Sequence, residues 1–231
     1  MSASPSGPAS IIAVVGLARE ARIAASAAVR PVIGGGASAS LSRALERAAA
    51  EGARAFISFG ITGALDPSLA PGACIVGSAA RLGVARWPTD AGWSESLMAG
   101  LPGAIMAEVA GSDHPIAKRE HKRLLRAATG AAAVDMESHI AARVAASRGL
   151  PFAILRVVCD PAHRSLPPAA LVGMRTDGTS DAGAVFRALA GAPGQLPALL
   201  RLALDARFAF RQLKRRREAL GSAFGAPLPP N

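Results

Sequence analysis

The stretch Val134–Asp160, VDMESHIAARVAASRGLPFAILRVVCD, decides the fold class and frames the chemistry. It opens on two carboxylates astride a methionine, Asp135-Met136-Glu137, and closes on a third acid, Asp160, after an apolar run. Glu137–Ser147 reads as a helix, with Gly149 as its stop signal. Phe152–Val158 reads as a strand, apolar on both faces apart from Arg156. A helix followed by a doubly buried strand is a repeating unit of α/β sheets. Its return path brings Glu137 and Asp160 back to one sheet edge.

The same alternation extends outward from this stretch. Ile11–Val15 is a short buried strand ending in Gly16. VIGGGASAS is a glycine loop feeding a helix with Leu41, Leu45 and Ala48 on one face and Gly52 as its stop. Ala53–Gly60 and Cys74–Leu82 read as strands, with a turn-rich loop from Ile61 between them. Gly83–Trp93 reads as irregular, Gly103–Gly111 as a strand, and Pro115–Gly130 as a basic helix. Strands apolar on both faces, alternating with helices, predict one α/β domain over residues 11–194. Its central sheet is expected to be mixed, mostly parallel and flanked by helices. Ligands of such sheets collect at the carboxyl ends of the strands. Gly16–Glu20, Gly60–Gly63 and Asp160 are expected just past such ends.

The C-terminal part differs. Residues 195–221 read as an added basic helix in which Leu199, Leu202, Ala206, Phe210 and Leu213 share a face. Arg201, Arg207, Arg211 and Lys214–Arg217 supply the charge. One reading is a helix docked on the body with a solvated basic end. The other is a basic amphipathic helix resting on an anionic lipid surface. Residues 1–10 and 222–231 are expected to be flexible tails.

With 231 residues, 51% of them apolar, the chain can bury one full core. Lys and Arg total 26 against 16 Asp and Glu, a net charge of +10 that suits either an anionic partner or a solvated surface. Aromatics make up only 4%, too few for a base-stacking platform, so nucleic acid is not the expected partner. Cys74 and Cys159 lie in apolar stretches and read as buried thiols of a reducing compartment. MSASPSGPAS lacks the positive start of a signal peptide. The expected location is cytoplasmic, with room for peripheral contact at the inner face of the membrane. The four histidines are dispersed and no CxxC occurs, so neither a metal nor another cofactor is expected.

Three carboxylates, Glu20, Glu137 and Asp160, would perturb one another if they met in a cleft, and one could hold a proton at neutral pH. That suits cleavage of a bond that needs an acid for its leaving group and an anion or base for a cationic sugar. Taken singly, each is equally well a helix cap or a surface charge. Asp135 reads as structural, Arg156 as the partner of a buried carboxylate, His139 as packed and His163 as a loop residue. Phe152 and Trp87 suit either stacking on a ligand or filling the core.

VDMES followed by PFAILRVVCD resembles the signature of the purine nucleoside phosphorylase and nucleosidase superfamily. FGITGALDPSLAPGACIV is similar to that family's glycine-rich loop and following strand, and VVGLAREA to its first strand and Glu-bearing turn. Within it, GAAAVDMESHIAARVA, RWPTDAGW, LPPAAL and GQLPALLRLALDAR resemble the hopanoid-associated phosphorylase group, the adenosylhopane nucleosidases. The resemblance implies removal of adenine from adenosylhopane in hopanoid synthesis, leaving a ribosyl or phosphoribosyl hopane. It implies Asp160 as the acid at purine N7, Glu137 on the ribose hydroxyls and Glu20 orienting water. It also implies Met136 on the ribose face, Gly60, Ile61, Thr62 and Gly63 near ribose or phosphate, and a homo-oligomer. Gly34, Gly35, Gly36 and Ser38 are expected as an anion loop, with phosphate as the alternative co-substrate. The family's phosphate-site hydroxyl is replaced by Ile61, and the serine before the acid by Cys159. The lost hydroxyl and the retained Glu20 favour water over phosphate, and Ile61 suits a greasy group on the ribose.

Overall fold

The structure, a computed structural model, describes residues 10–173, 177–179 and 181–226. Most of the predicted N-terminal tail therefore lies outside the described residues, as does the chain from residue 227. The first half of the chain folds as β1 (Ile11–Val15), α1 (Ala18–Ala24), β2 (Val29–Ile33), α2 (Ser38–Ala50), β3 (Ala55–Ala64), β4 (Cys74–Leu82), β5 (Ala85–Pro88) and α3 (Ala91–Gly100). The second half adds β6 (Ile105–Gly111), α4 (Arg119–Thr129), β7 (Ala133–Asp135), α5 (Ser138–Arg148), β8 (Phe152–Asp160), α6 (Pro168–Leu171), α7 (Ala182–Gly191) and α8 (Leu196–Ala219).

The strands form an 8-stranded sheet in the order β2-β1-β3-β7-β6-β4-β5, and β8 pairs with both β3 and β4. Strands β3, β7, β6, β4 and β8 therefore close into a ring. β1 and β2 extend it from β3, and β5 from β4. Pairings of β1 with β2 and β3, of β3 with β8, and of β6 with β4 and β7 are parallel. Those of β3 with β7, and of β4 with β5 and β8, are antiparallel. The sheet is thus mixed and mostly parallel, as the apolar strand pattern predicts.

Alternation along the strands sorts the core into two layers. Ile11, Ala13 and Val15 of β1 and Ala153, Leu155 and Val157 of β8 face α1, α3 and α8. Ile12, Val14, Ile154 and Val158 face α2 and α5. Burying one such leucine or isoleucine contributes about 1.5–3 kcal/mol, so both layers are needed to hold the strand ends in place. Gly130 and Gly149 end α4 and α5 in the left-handed conformation, with φ of 71° and 63°.

Several sequence expectations need correction. The predicted irregular segment Gly83–Trp93 contains β5 and the start of α3. Asp90 caps that helix by accepting from Trp93 N at 2.8 Å, and Trp93 is fully buried. Gly60–Gly63 lie within β3, not past its end, because Thr62 and Gly63 still pair with β8 and β7. β2 is an edge strand in which Arg30 and Pro31 break the apolar pattern. An edge tolerates proline because one side of the strand has no ladder to complete.

The C-terminal tail is also not loose where the structure describes it. Phe224 is fully buried and meets Phe59 edge-on at 5.1 Å. Trp93 Nε1 donates to its carbonyl at 2.9 Å. The Arg217 guanidinium lies 4.2 Å from its ring, and its Nη2 donates to Ser222 O at 3.1 Å. One phenylalanine in a glycine- and proline-rich segment makes no periodic pattern, so a sequence cannot advertise this lock. Arg217 is buried as well, which corrects the expectation of a wholly solvated basic end. The second half of α8 docks through Ala209, Phe210 and Leu213, while Leu196, Leu200, Leu204 and Phe208 stay exposed. No helix among the described residues is long and apolar enough to cross a membrane.

Candidate active site

A cavity of ≈ 440 Å³ opens where β1, β3, β7 and β8 end and α1 and α5 begin. Glu20, Glu137 and Asp160 all line it, together with Met136, Arg156 and Cys159. These side chains come from points far apart in the chain. The sheet brings their strand ends together, and the two following helices present Glu20 and Glu137.

Glu20 lies in the first turn of α1 and reaches back over the turn. Its Oε2 accepts from Gly16 N at 2.8 Å and Leu17 N at 2.9 Å, and its Oε1 from Ile61 N at 2.7 Å. It is a fixed carboxylate. Burial raises its proton affinity, opposed by Arg156 and by these three backbone donors. Gly60 makes the arrangement fit, because a Cβ there would stand 2.4 Å from Glu20 Oε1. Its expected contact with ribose or phosphate is thus corrected to one with Glu20.

Glu137 starts α5, where the helix dipole favours its charge. Asp135 organises the turn: its Oδ1 accepts from Glu137 N at 3.1 Å and Ser138 N at 2.8 Å. Arg156 lies between the two acids, with Nε 2.7 Å from Asp135 Oδ2 and Nη2 3.3 Å from Glu137 Oε2. Nη2 also donates to Ser58 Oγ at 2.6 Å. The structural role expected of Asp135 and the pairing expected of Arg156 both hold. Burial pushes the Glu137 carboxyl up to about 7 against the pull of Arg156, with Asp135 and Glu20 adding to the rise. Gly16 leaves room for it, since a Cβ there would lie 2.8 Å from Glu137 Oε1.

Asp160 ends β8. Its Oδ2 is held by Lys122 Nζ at 2.5 Å, and the residue lines the cavity. Burial raises its proton affinity, while Lys122 and Arg164 lower it. Burial pushes the neighbouring Cys159 thiol up to about 12, so it stays neutral and is no nucleophile.

Of the other expected site residues, Ile61, Thr62, Gly63, Gly35 and Gly36 line the cavity. The Thr62 hydroxyl is spent on Val134 O at 2.7 Å. Phe152 does not belong to the site. It starts β8, at the end remote from Asp160, and packs in the core with Phe56 and Ile154. Gly34 is a packing glycine: a Cβ there would meet Leu41 at 2.9 Å and Glu137 Cγ at 3.1 Å. Ser38 donates to Asp113 Oδ1 at 2.6 Å, so the expected anion loop faces a carboxylate instead. Trp87 lies on β5 away from the cavity, His139 is buried beside Asp113, and His163 is exposed.

Lys122 was not among the expected site residues because it lies in a run of solvated cations. Of the walls, Ile116, Leu166 and Leu171 were missed because they lie in segments without periodicity, and Leu202 because a leucine on the apolar face of a helix reads as core packing. No group of three or more His, Cys, Asp and Glu that could hold a metal occurs among the described residues. The arrangement offers three convergent carboxyl groups beside a largely apolar chamber.

The family model for the phosphorylase superfamily matches residues 26–190. No curated protein matches the chain by sequence. Among solved structures, the 5′-methylthioadenosine/S-adenosylhomocysteine nucleosidase of Neisseria meningitidis with methylthio-immucillin-A superposes with a TM-score of 0.63 at 16% identity, covering 93% of this chain and 99% of that one. The same enzyme of S. pneumoniae, with a transition-state inhibitor, gives 0.60 at 16%, covering 91% and 99%. A futalosine hydrolase mutant of Helicobacter pylori gives 0.54 at 14%, covering 65% and 88%. At these identities the likeness establishes the fold.

Proposed function

Because the chain belongs to the phosphorylase superfamily, we propose that it is a nucleosidase that cleaves the N-glycosidic bond of an adenine nucleoside with water. The observation that carries this reading is the meeting of Glu20, Glu137 and Asp160 around one nucleoside-sized cavity. Asp160 gives its proton to purine N7 as the C1′–N9 bond breaks and the electron pair leaves with adenine. Glu137 binds the ribose hydroxyls and steadies the oxocarbenium-like sugar, and Met136 lies on the ribose face. Glu20 takes a proton from the water whose oxygen bonds to C1′.

Water is favoured over phosphate by where the donors go. The backbone N–H groups of Gly16, Leu17 and Ile61 are already taken by Glu20, and the Ser38 hydroxyl by Asp113. A phosphate would meet carboxylates at both places.

The proposed substrate is adenosylhopane, on the strength of the group resemblance and of the apolar walls Leu17, Ile61, Ile116, Leu166, Leu171 and Leu202. Leu202 belongs to α8, whose exposed Leu196, Leu200 and Leu204 lie along the same half of the helix. With Arg201 and Arg207 exposed beside them, this half of α8 suits an anionic membrane surface at which a lipid nucleoside would be met. A homo-oligomer is part of the same reading and is checked by sedimentation.

A second reading, a nucleosidase for small 5′-thio nucleosides, draws on the names of the solved neighbours. The experiment compares adenine release from adenosylhopane in mixed micelles with release from methylthioadenosine, for wild type and Asp160→Asn. Adenine from the lipid nucleoside alone, lost in the variant, supports the first reading. Preference for methylthioadenosine supports the second, and no adenine from either sinks both.

A further inference from the structure

Lys122 is 1% exposed, although its neighbours Arg119 and Arg123 in the same helix are exposed. Besides Asp160 Oδ2 at 2.5 Å, its Nζ donates to Pro161 O and Arg164 O, each at 3.0 Å. An ammonium has three donors, and three acceptors take them. Such a group is costly to bury without partners, so a fully satisfied one marks a built arrangement. Asp160 is thus anchored by the ammonium through Oδ2 while the residue lines the cavity. The remaining charged neighbours largely offset each other, since Arg164 from the loop after β8 pairs with Asp205 of α8 at 2.6 Å. Cys159 beside them is a neutral thiol, whose proton affinity both Asp160 and Glu20 raise.

The geometry points to Lys122 as the positioning residue of the acid step: its ammonium orients the Asp160 carboxyl toward the base and stabilises the carboxylate left once the proton has gone to N7. This rests on the proposed cleavage and names a further residue for it. In the step, the Asp160 O–H bond breaks, its proton bonds to N7, and the C1′–N9 electron pair stays with adenine. The new negative charge on Asp160 then sits against the Lys122 ammonium, which keeps its own three protons. Asp160 is therefore a stronger acid than its burial alone would allow.

Lys122→Met keeps the length and bulk of the side chain and removes the charge. Its kcat should fall by about tenfold or more while KM stays within about twofold, because the group acts on proton transfer and not on substrate affinity. The alkaline limb of the pH–rate profile should move up by about 1–3 pH units, the effect of removing one close opposite charge from a carboxyl. The carbon-13 signal of the Asp160 carboxyl should titrate higher by the same amount. A folded variant with both the limb and the carboxyl titration unmoved overturns the inference. The two proposals fail separately. Wild type that releases no adenine, with a carboxyl titration that still moves in the variant, sinks the function and leaves the pair standing. If Lys122→Met does not fold, the nitrogen-15 signal of Lys122 Nζ in wild type decides. An ammonium signal that shifts at the Asp160 midpoint is expected; a neutral amine, or one indifferent to that midpoint, contradicts the inference.

Discussion

The cavity floor and the first half of α8 break the ordinary arrangement of a folded chain in opposite directions. The floor buries charge: Glu20, Glu137, Arg156, Asp160 and Lys122 are nearly inaccessible. The helix exposes Leu196, Leu200 and Leu204 to solvent. Buried charge is held by specific partners, so each group there has a defined geometry. The exposed leucines lie outside the buried clusters, so their positions are set chiefly by the helix. The floor can do chemistry, and the helix face can meet an apolar surface. Both depart from what stability by itself would select.

The comparison breaks most sharply at the floor. Asp160→Asn and Glu20→Gln should each lower adenine release by about 10²–10⁴-fold, the range expected for loss of a general acid or base. A loss below tenfold in either variant would show that the group is structural. Next in size is a control on the scaffold. Phe224→Ala should destabilise by about 3–5 kcal/mol, as for a large aromatic removed from a core, measured by urea unfolding. A loss under about 1 kcal/mol would mean that the C-terminal segment does not hold α8 and α3 together.

The third prediction separates function from stability within one residue. The Glu137 carboxyl is raised from 4.5 to about 7 in the folded chain. Between those values the folded chain keeps a proton that the unfolded chain releases, so stability falls as pH rises through that window. Glu137→Gln removes this penalty, with an upper bound of about 3 kcal/mol at neutral pH. The variant should lose activity yet melt higher than wild type at pH 8, with the gap closing at pH 5. A lower melting temperature at pH 8 would mean that the pairing with Arg156 outweighs burial. The smallest effect on stability belongs to α8. Leu200→Glu with Leu204→Glu should change unfolding free energy by within about 0.5 kcal/mol, as for solvent-facing positions. It should also abolish binding to phosphatidylglycerol vesicles. Unchanged vesicle binding would remove the membrane role.

Each of these regions is legible in the sequence in part. Val134–Asp160 declares a helix, a strand and three acids, and the α/β class follows because doubly apolar strands need cover on both faces. The inward face of α8, Leu199 to Leu213, is equally plain from its spacing. Lys122 is not, because a lysine among arginines on a helix is ordinarily a surface residue and only the tertiary fold turns this one inward. Gly60 and Gly34 read as ligand glycines for the same reason. What stands against a missing Cβ, here Glu20 and Leu41, lies far away in the chain. The lock around Phe224 depends on Trp93, remote in sequence, and on Arg217, seven residues before it in a basic run, and neither is marked by a pattern.

The most direct measurement is the pH profile of single-turnover adenine release for wild type, Glu20→Gln and Asp160→Asn. Three acids acting on one bond predict a bell for wild type, an acidic limb that moves to lower pH in Glu20→Gln, where Glu137 alone must ionise without the charge of Glu20 beside it, and loss of the alkaline limb in Asp160→Asn. Identical bell-shaped profiles in all three proteins, or no adenine from wild type, would contradict a shared nucleoside site.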